Sequence, residues 1–249
     1  MFPATQILPA DNGRSNYLRV AQTVANMMNP KLTVEEFINS YKFYDDELVL
    51  LQPLSTSQTQ YVFNPVRGLD TPTPTQNLMD KSDLFAVCGV GVFFTLATYT
   101  STTGLLSAYG NYEQYTYPYA AVFSGTNEQA GLMNIVRGTI ALSVNSDQQW
   151  KVPVDRLVFK KEFINAQATT IQYGGDNASQ GILDLNALVI MDGENQNQLA
   201  LDLATGGTLT NIDGNTHATT RNIIGIKLIG FRVRNVANGG FTAANCRVS

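Results

Sequence analysis

The sequence predicts a mainly β chain, folded as two β sandwiches or barrels of similar size behind short N-terminal helices. Three observations carry this. Runs of β-branched and aromatic residues recur about every 10–15 residues over most of the chain. The segments between them are rich in Gly, Asn, Thr and Ser, the residues of turns and loops. Helical spacing of apolar residues is confined to the first 44 residues and one short later segment. A polar stretch at 145–149 followed by Pro153 reads as a boundary. The expected division is 1–44 for an arm and helices, 45–150 for a first β module and 151–249 for a second.

Residues 1–15 hold Pro3, Pro9 and Asn12-Gly13 and read as an extended arm. From Ser15 to Asn29, Leu18, Ala21, Ala25 and Met28 fall at spacings of three and four, with Val24 beside them. That spacing predicts an amphipathic helix capped by Ser15 or Asn16 and stopped by Pro30. Thr33-Val34-Glu35-Glu36 has the form of a capping box and predicts a second helix running to about Tyr44. Its apolar side is Val34, Phe37, Ile38 and Tyr41. Short strands are expected at 48–51 and 61–63, a proline-rich loop at 68–77, and a long buried strand at 83–98, bent at Gly89 or Gly91. Residues 99–119 are either a strand with a wet aromatic face or an exposed loop. A helix is expected at 127–136, closed by Gly138, and a strand at 139–144. The second half carries expected strands at 156–160, 168–173, 182–191, 198–203, 223–235 and 241–248. Asp192-Gly193-Glu194-Asn195 reads as a hairpin turn.

Charged residues make up only 14%, against roughly 25% in an average soluble protein, and Asn, Gln, Thr and Ser take their place. Such side chains bury against other protein without the desolvation cost of an ion. The formal net charge of −4 gives no basic stripe, so specific nucleic-acid binding is not expected. The start, Met1-Phe2-Pro3-Ala4-Thr5, has neither a basic segment nor an apolar one, so no secretory signal is expected. No run reaches the ~18 apolar residues of a membrane span.

Catalytic chemistry has little to build on. His217 is the only histidine, no nucleophile-elbow motif accompanies it, and Cys88 and Cys246 are isolated. These cysteines read as free thiols or as one disulfide. Zinc, phosphate-loop and dinucleotide patterns are absent. Asp45, Asp46, Glu47, Asp192 and Glu194 could supply a carboxylate pair, but each sits at an expected turn or strand edge, where acids are ordinary. Asp192-Gly193-Glu194 and Asp213-Gly214-Asn215 complete no calcium loop. The sequon at Asn177 carries little weight without a secretory signal. The expectation is a chain that is not an enzyme and holds no cofactor or metal. The interface candidates are Tyr109, Tyr112, Tyr115, Tyr117 and Tyr119, with Arg232 and Arg234. Tyrosine gives large contact area at low entropic cost, although the cluster reads equally as sandwich interior, and less readily as a stacking platform for sugars or bases. Arg232 and Arg234 share a strand face, which either meets acids of a neighbouring subunit or stays solvated.

The segment Tyr117-Pro118-Tyr119-Ala120-Ala121-Val122-Phe123, then the helix, then Gly138-Thr139-Ile140-Ala141-Leu142-Ser143-Val144, reads as strand–helix–strand inside a β domain. In this the chain resembles the double jelly-roll major capsid proteins of tailless, membrane-containing bacteriophages, over most of residues 45–249 and without a diagnostic motif. The resemblance implies two jelly-roll-like modules and a viral structural protein, made in the host cytoplasm and located in the virion. It implies homotrimers tiling an icosahedral shell beside other virion proteins, with the N-terminal arm facing an internal membrane or a neighbouring capsomer. The alternative is a minor virion component, a spike or receptor-binding protein recognising a host glycan.

Overall fold

The computed structural model describes residues 12–55, 58–67, 77–98, 114–120, 122–124, 128–158, 181–204 and 220–234. Residues 1–11 of the expected arm, strands at 168–173 and 241–248, His217, Cys246, the sequon at Asn177 and the Asp213 turn lie outside them, while residues 12–15, expected in the arm, already belong to the first helix, so that neither Ser15 nor Asn16 caps it.

Two helices come first, α1 (Asn12–Met27) and α2 (Val34–Ser40). Thr33 caps α2 as expected: its side chain accepts from the Glu36 backbone N–H, and the Glu36 carboxylate accepts from the Thr33 backbone N–H. That contact holds the Glu36 carboxyl below its usual range. The helix stops at Ser40, short of the expected Tyr44, because Lys42 already begins a strand. In α1 the buried side is Val20, Ala21, Val24 and Ala25, continued by Met28 just past its end, while Leu18, expected on that side, is 49% exposed.

Among the described residues eight strands follow: β1 (Lys42–Pro53), β2 (Gln60–Phe63), β3 (Asp83–Thr98), β4 (Thr139–Val144), β5 (Asp147–Pro153), β6 (Ile182–Asp192), β7 (Asn197–Asp202) and β8 (Thr220–Arg234). Helix α3 (Glu128–Val136) lies between β3 and β4. Sheet 1 has the order β1-β8-β3-β6 and sheet 2 the order β2-β7-β4-β5, every pair antiparallel. The pairs β1·β8, β2·β7, β3·β6 and β4·β5 are those of one long two-stranded ribbon, four strands out and four back. Rolling that ribbon puts its segments alternately into two sheets and adds the contacts β8·β3 and β7·β4.

This topology corrects the expected modules 45–150 and 151–249. Each sheet takes strands from both halves, and the supposed boundary falls inside the β4–β5 hairpin. The turn there is Asn145-Ser146, both with positive φ (52° and 66°), the signature of the tight turn that suits strand twist. Two further expectations change. Val154–Leu157 is a short 3-10 turn where a strand was expected at 156–160. Asp192-Gly193 is a turn as expected, but it joins β6 of sheet 1 to β7 of sheet 2 and makes no hairpin.

The main core joins the two sheets. Leu48, Leu50, Phe85, Val92, Ile226 and Leu228 of sheet 1 cluster with Tyr61, Phe63, Ile140, Leu142, Leu199 and Leu201 of sheet 2. Ile135 of α3 and Leu157 of the 3-10 turn also belong to it. In β3, Phe85 and Val87 point into this core, as do Val90, Val92 and Phe94. The parity switches because the register shifts between Val87 and Gly89, a bulge where a bend was expected. A second core lies on the other face of sheet 1, where α1 and α2 cover Leu84, Ala86, Cys88, Phe231 and Val233.

Candidate functional site

Along β8, Ile224, Ile226 and Leu228 face the main core, and period-two alternation carries Arg232 and Arg234 to the same side at the strand's end. There Arg232 is 3% exposed and surrounded by its own chain. Its Nη1 donates to Asp83 Oδ2 at 3.1 Å, and its Nη2 to Asn77 Oδ1 at 3.2 Å and to the Leu78 carbonyl at 3.3 Å. Its Nε lies 2.5 Å from Asp46 Oδ2, an ion pair whose N–H is poorly aligned for a hydrogen bond. Arg234 donates from Nε to Asp83 Oδ1 and from Nη2 to Asp80 Oδ2, both at 3.2 Å. Burial works against the Arg234 charge, but the hydrogen bond and charge of Asp83 outweigh it and hold the guanidinium above its ordinary pKa. Asn77 completes the cluster by donating to Asp46 Oδ1 and to the Glu47 carbonyl. For Arg232 the expectation of a neighbouring subunit's acids or of solvent is therefore corrected, while Arg234 is paired within the chain and keeps a side chain 36% exposed. Their partners are Asp46, Asp80 and Asp83 of the same chain.

Of the tyrosines, Tyr109 and Tyr112 lie outside the described residues. Tyr115 exchanges two backbone hydrogen bonds with Phe94, at 2.7 and 2.9 Å, and so continues the edge of β3 where the β6 ladder has ended at Gly91. Its ring meets Phe123 edge to face, and Phe123 meets Phe94 likewise. Tyr115 thus belongs to the packed edge of the sandwich. Tyr117 and Tyr119 are half-buried and lie edge to face, with centroids 5.2 Å apart. Edge-to-face rings do not form one flat stacking surface. The segment around them is turn and bend where a strand was expected at 117–123, with Val122 and Phe123 both donating to the Tyr119 carbonyl.

The remaining chemical candidates are dispersed. Cys88 is buried under the helices, and burial pushes its thiol up to about 11. Asp192 is buried and pushed above the usual carboxylate range by that burial, and its Oδ1 accepts from the Glu194 backbone N–H. Asp46 belongs to the arginine cluster, and Glu47 pairs with Lys227 at 3.2 Å. Two buried acids escaped sequence reasoning: Asp83 of the arginine cluster, and Glu128, fully buried at the start of α3, which accepts from Asn222 Nδ2 at 2.6 Å. An acid in the first turn of a helix is ordinary, so its sequence gives no signal of burial. Among the described residues, no three His, Cys, Asp or Glu are grouped to hold a metal ion. No described helix is long and apolar enough to cross a membrane. Comparison with protein-family models, curated proteins and solved structures gave no match.

Proposed function

We propose that the chain is a structural subunit that packs against copies of itself, a major capsid protein forming trimers and then an icosahedral shell. The observation that carries this reading is the strand order. Two facing sheets ordered 1-8-3-6 and 2-7-4-5 support reading the chain as a jelly roll, an architecture of viral capsid and lectin domains. On this reading the chain is one roll, not two. The low charge supports it, because surfaces poor in ions bury against neighbours at smaller desolvation cost. Fold alone does not fix function, so the reading is tested on assembly. Light scattering and electron microscopy of the purified chain should show trimers or larger closed particles. A strict monomer at high concentration would sink it. In purified particles the chain should be present in hundreds of copies or more (on the order of the shell subunit number), whereas tens of copies would favour a spike.

A further inference from the structure

We propose that the outer face of sheet 2 is a two-fold contact that joins one trimer to the next, with β2 of one copy lying over β5 of the other. The contact deepens the shell reading and rests on it. Among the described residues, Leu18 and Val62 are the large apolar side chains left exposed. Val62 begins a row that runs through Ala200 and Ala141 to Lys151. The flanking rows carry uncharged hydrogen-bonding side chains, Gln60 and Thr139 on one side and Gln198, Ser143 and Gln148 on the other. An apolar middle within an uncharged polar rim is the make-up of a contact between proteins. A surface that stays in water usually carries mixed charges throughout.

The charges select the occupant and its orientation. The four strands place one cation and one anion on this face, Lys151 on β5 and Asp202 on β7, 4.0 Å apart and each more than a third exposed. One charge of each sign makes the face complementary to itself, so a second copy fits it. A two-fold axis between facing sheets runs either across the strands or along them. An axis across the strands sets β5 over β5 and brings two Lys151 side chains together, which like-charge repulsion disfavours. An axis along the strands reverses their order, so β5 lies over β2 and β4 over β7. The aliphatic stem of Lys151 then covers the other copy's Val62. Its ammonium points toward the other copy's Asp202, which Gln60 holds at 2.6 Å beside that valine. A two-fold contact uses the same face on both partners, whereas a three-fold ring does not, so this contact joins trimers and does not form them. Its size agrees: the face covers about 400 Å², roughly half of what one partner gives to a stable pair. It stays open in a free trimer and closes where many such contacts form together.

The test is a charge placed at Val62, read by light scattering and electron microscopy of the full chain. Val62→Lys sets two cations against each other across the contact. Trimers should form as in the wild-type chain, while the chain concentration needed for particles should rise about 10-fold or more. Val62→Glu meets Lys151 with the opposite charge and should assemble at or below the wild-type concentration. Val62→Lys/Lys151→Glu restores the attraction and should recover assembly. Val62 is exposed, so the unfolding midpoints of the free variants should match the wild type, which separates a lost contact from a lost fold. Three outcomes would each overturn the proposal: Val62→Lys assembling like the wild type, Val62→Glu losing particles as Val62→Lys does, or trimers disappearing along with the particles. In all three the wild-type chain still forms shells, so the shell reading stands. A wild-type chain that forms no particles overturns both.

Discussion

Sheet 1 and sheet 2 each have four strands, but they stand in different surroundings. Sheet 1 is a middle layer, with sheet 2 on one face and the two N-terminal helices on the other. The outer face of sheet 2 carries Gln60, Val62, Ser143, Lys151 and Gln198, exposed or half-buried. The difference is written in the strands. β3 and β8 are largely apolar on both sides, as in Leu84–Phe94 and, apart from Lys227, Ile223–Phe231, while β7 alternates buried and accessible residues from Asn197 to Asp202. A continuous apolar strand marks a layer covered twice, and an alternating one marks a layer covered once. Antiparallel sheets thus obey the rule usually applied to parallel ones, once helices lie on the second face.

The largest effect that would break this contrast is expected at the end of sheet 1. Arg232→Met leaves Asp83 buried with Arg234 as its remaining cation and removes the ion pair of Asp46, and should cost about 3–5 kcal/mol in urea unfolding. A loss below about 1 kcal/mol, typical of surface pairs, would mean that the cluster is wet and that sheet 1 is not a closed layer there. Next comes Phe231→Ala, beneath the helices, at about 3 kcal/mol. Labelling of Cys88 should speed up in that variant, in a Cys246→Ser background, because the buried thiol, raised to about 11, is shielded only while α1 stays docked. Its folded pKa is raised, so this contribution to stability holds below the ordinary thiol pKa and is lost as pH rises through the folded value. A smaller effect is expected at the capping box: Thr33→Ala should cost about 1 kcal/mol and raise amide exchange in α2.

What the sequence disclosed follows the same division. The limits of β3 and β4 and the capping box of α2 were legible because each is a local pattern: an apolar run, a strand before a turn, a side chain three residues from its partner. β5 was not legible. Its turn, Asn145-Ser146, lacks the glycine that announces a tight hairpin, and Asp147-Gln148-Gln149 lie exposed on an edge strand, so the segment reads as a linker. Pairing across the halves was illegible for a different reason. Lys42 lies opposite Arg234 at the far end of the described chain, and neither residue carries a mark of the other. The same holds for the cluster: Arg232 and Asp83 are 149 residues apart, and an arginine ending an apolar stripe looks like an ordinary solvent contact until the fold brings the acid to it. The tyrosines were legible as aromatic surface but not in their separate roles, because Tyr115 is drawn into the sheet edge by a backbone pairing that any side chain could make.

The smallest expected effect is the one that sharpens the contrast most. Val62, Ala200, Ala141 and Lys151 form one row across all four strands of sheet 2. Val62 is 43% exposed, so Val62→Thr places a hydroxyl in water and should change stability by less than about 0.5 kcal/mol. The same exchange at Val233, fully buried under the helices, puts the hydroxyl into an apolar layer and should cost about 1–3 kcal/mol. The two variants differ only in which sheet face receives the oxygen, so the gap between their unfolding midpoints measures how differently the faces are covered. Should Val62→Thr cost as much as Val233→Thr, the outer face of sheet 2 would be covered in solution. Its midpoint would then rise with chain concentration, as mass action requires when the covering is another copy.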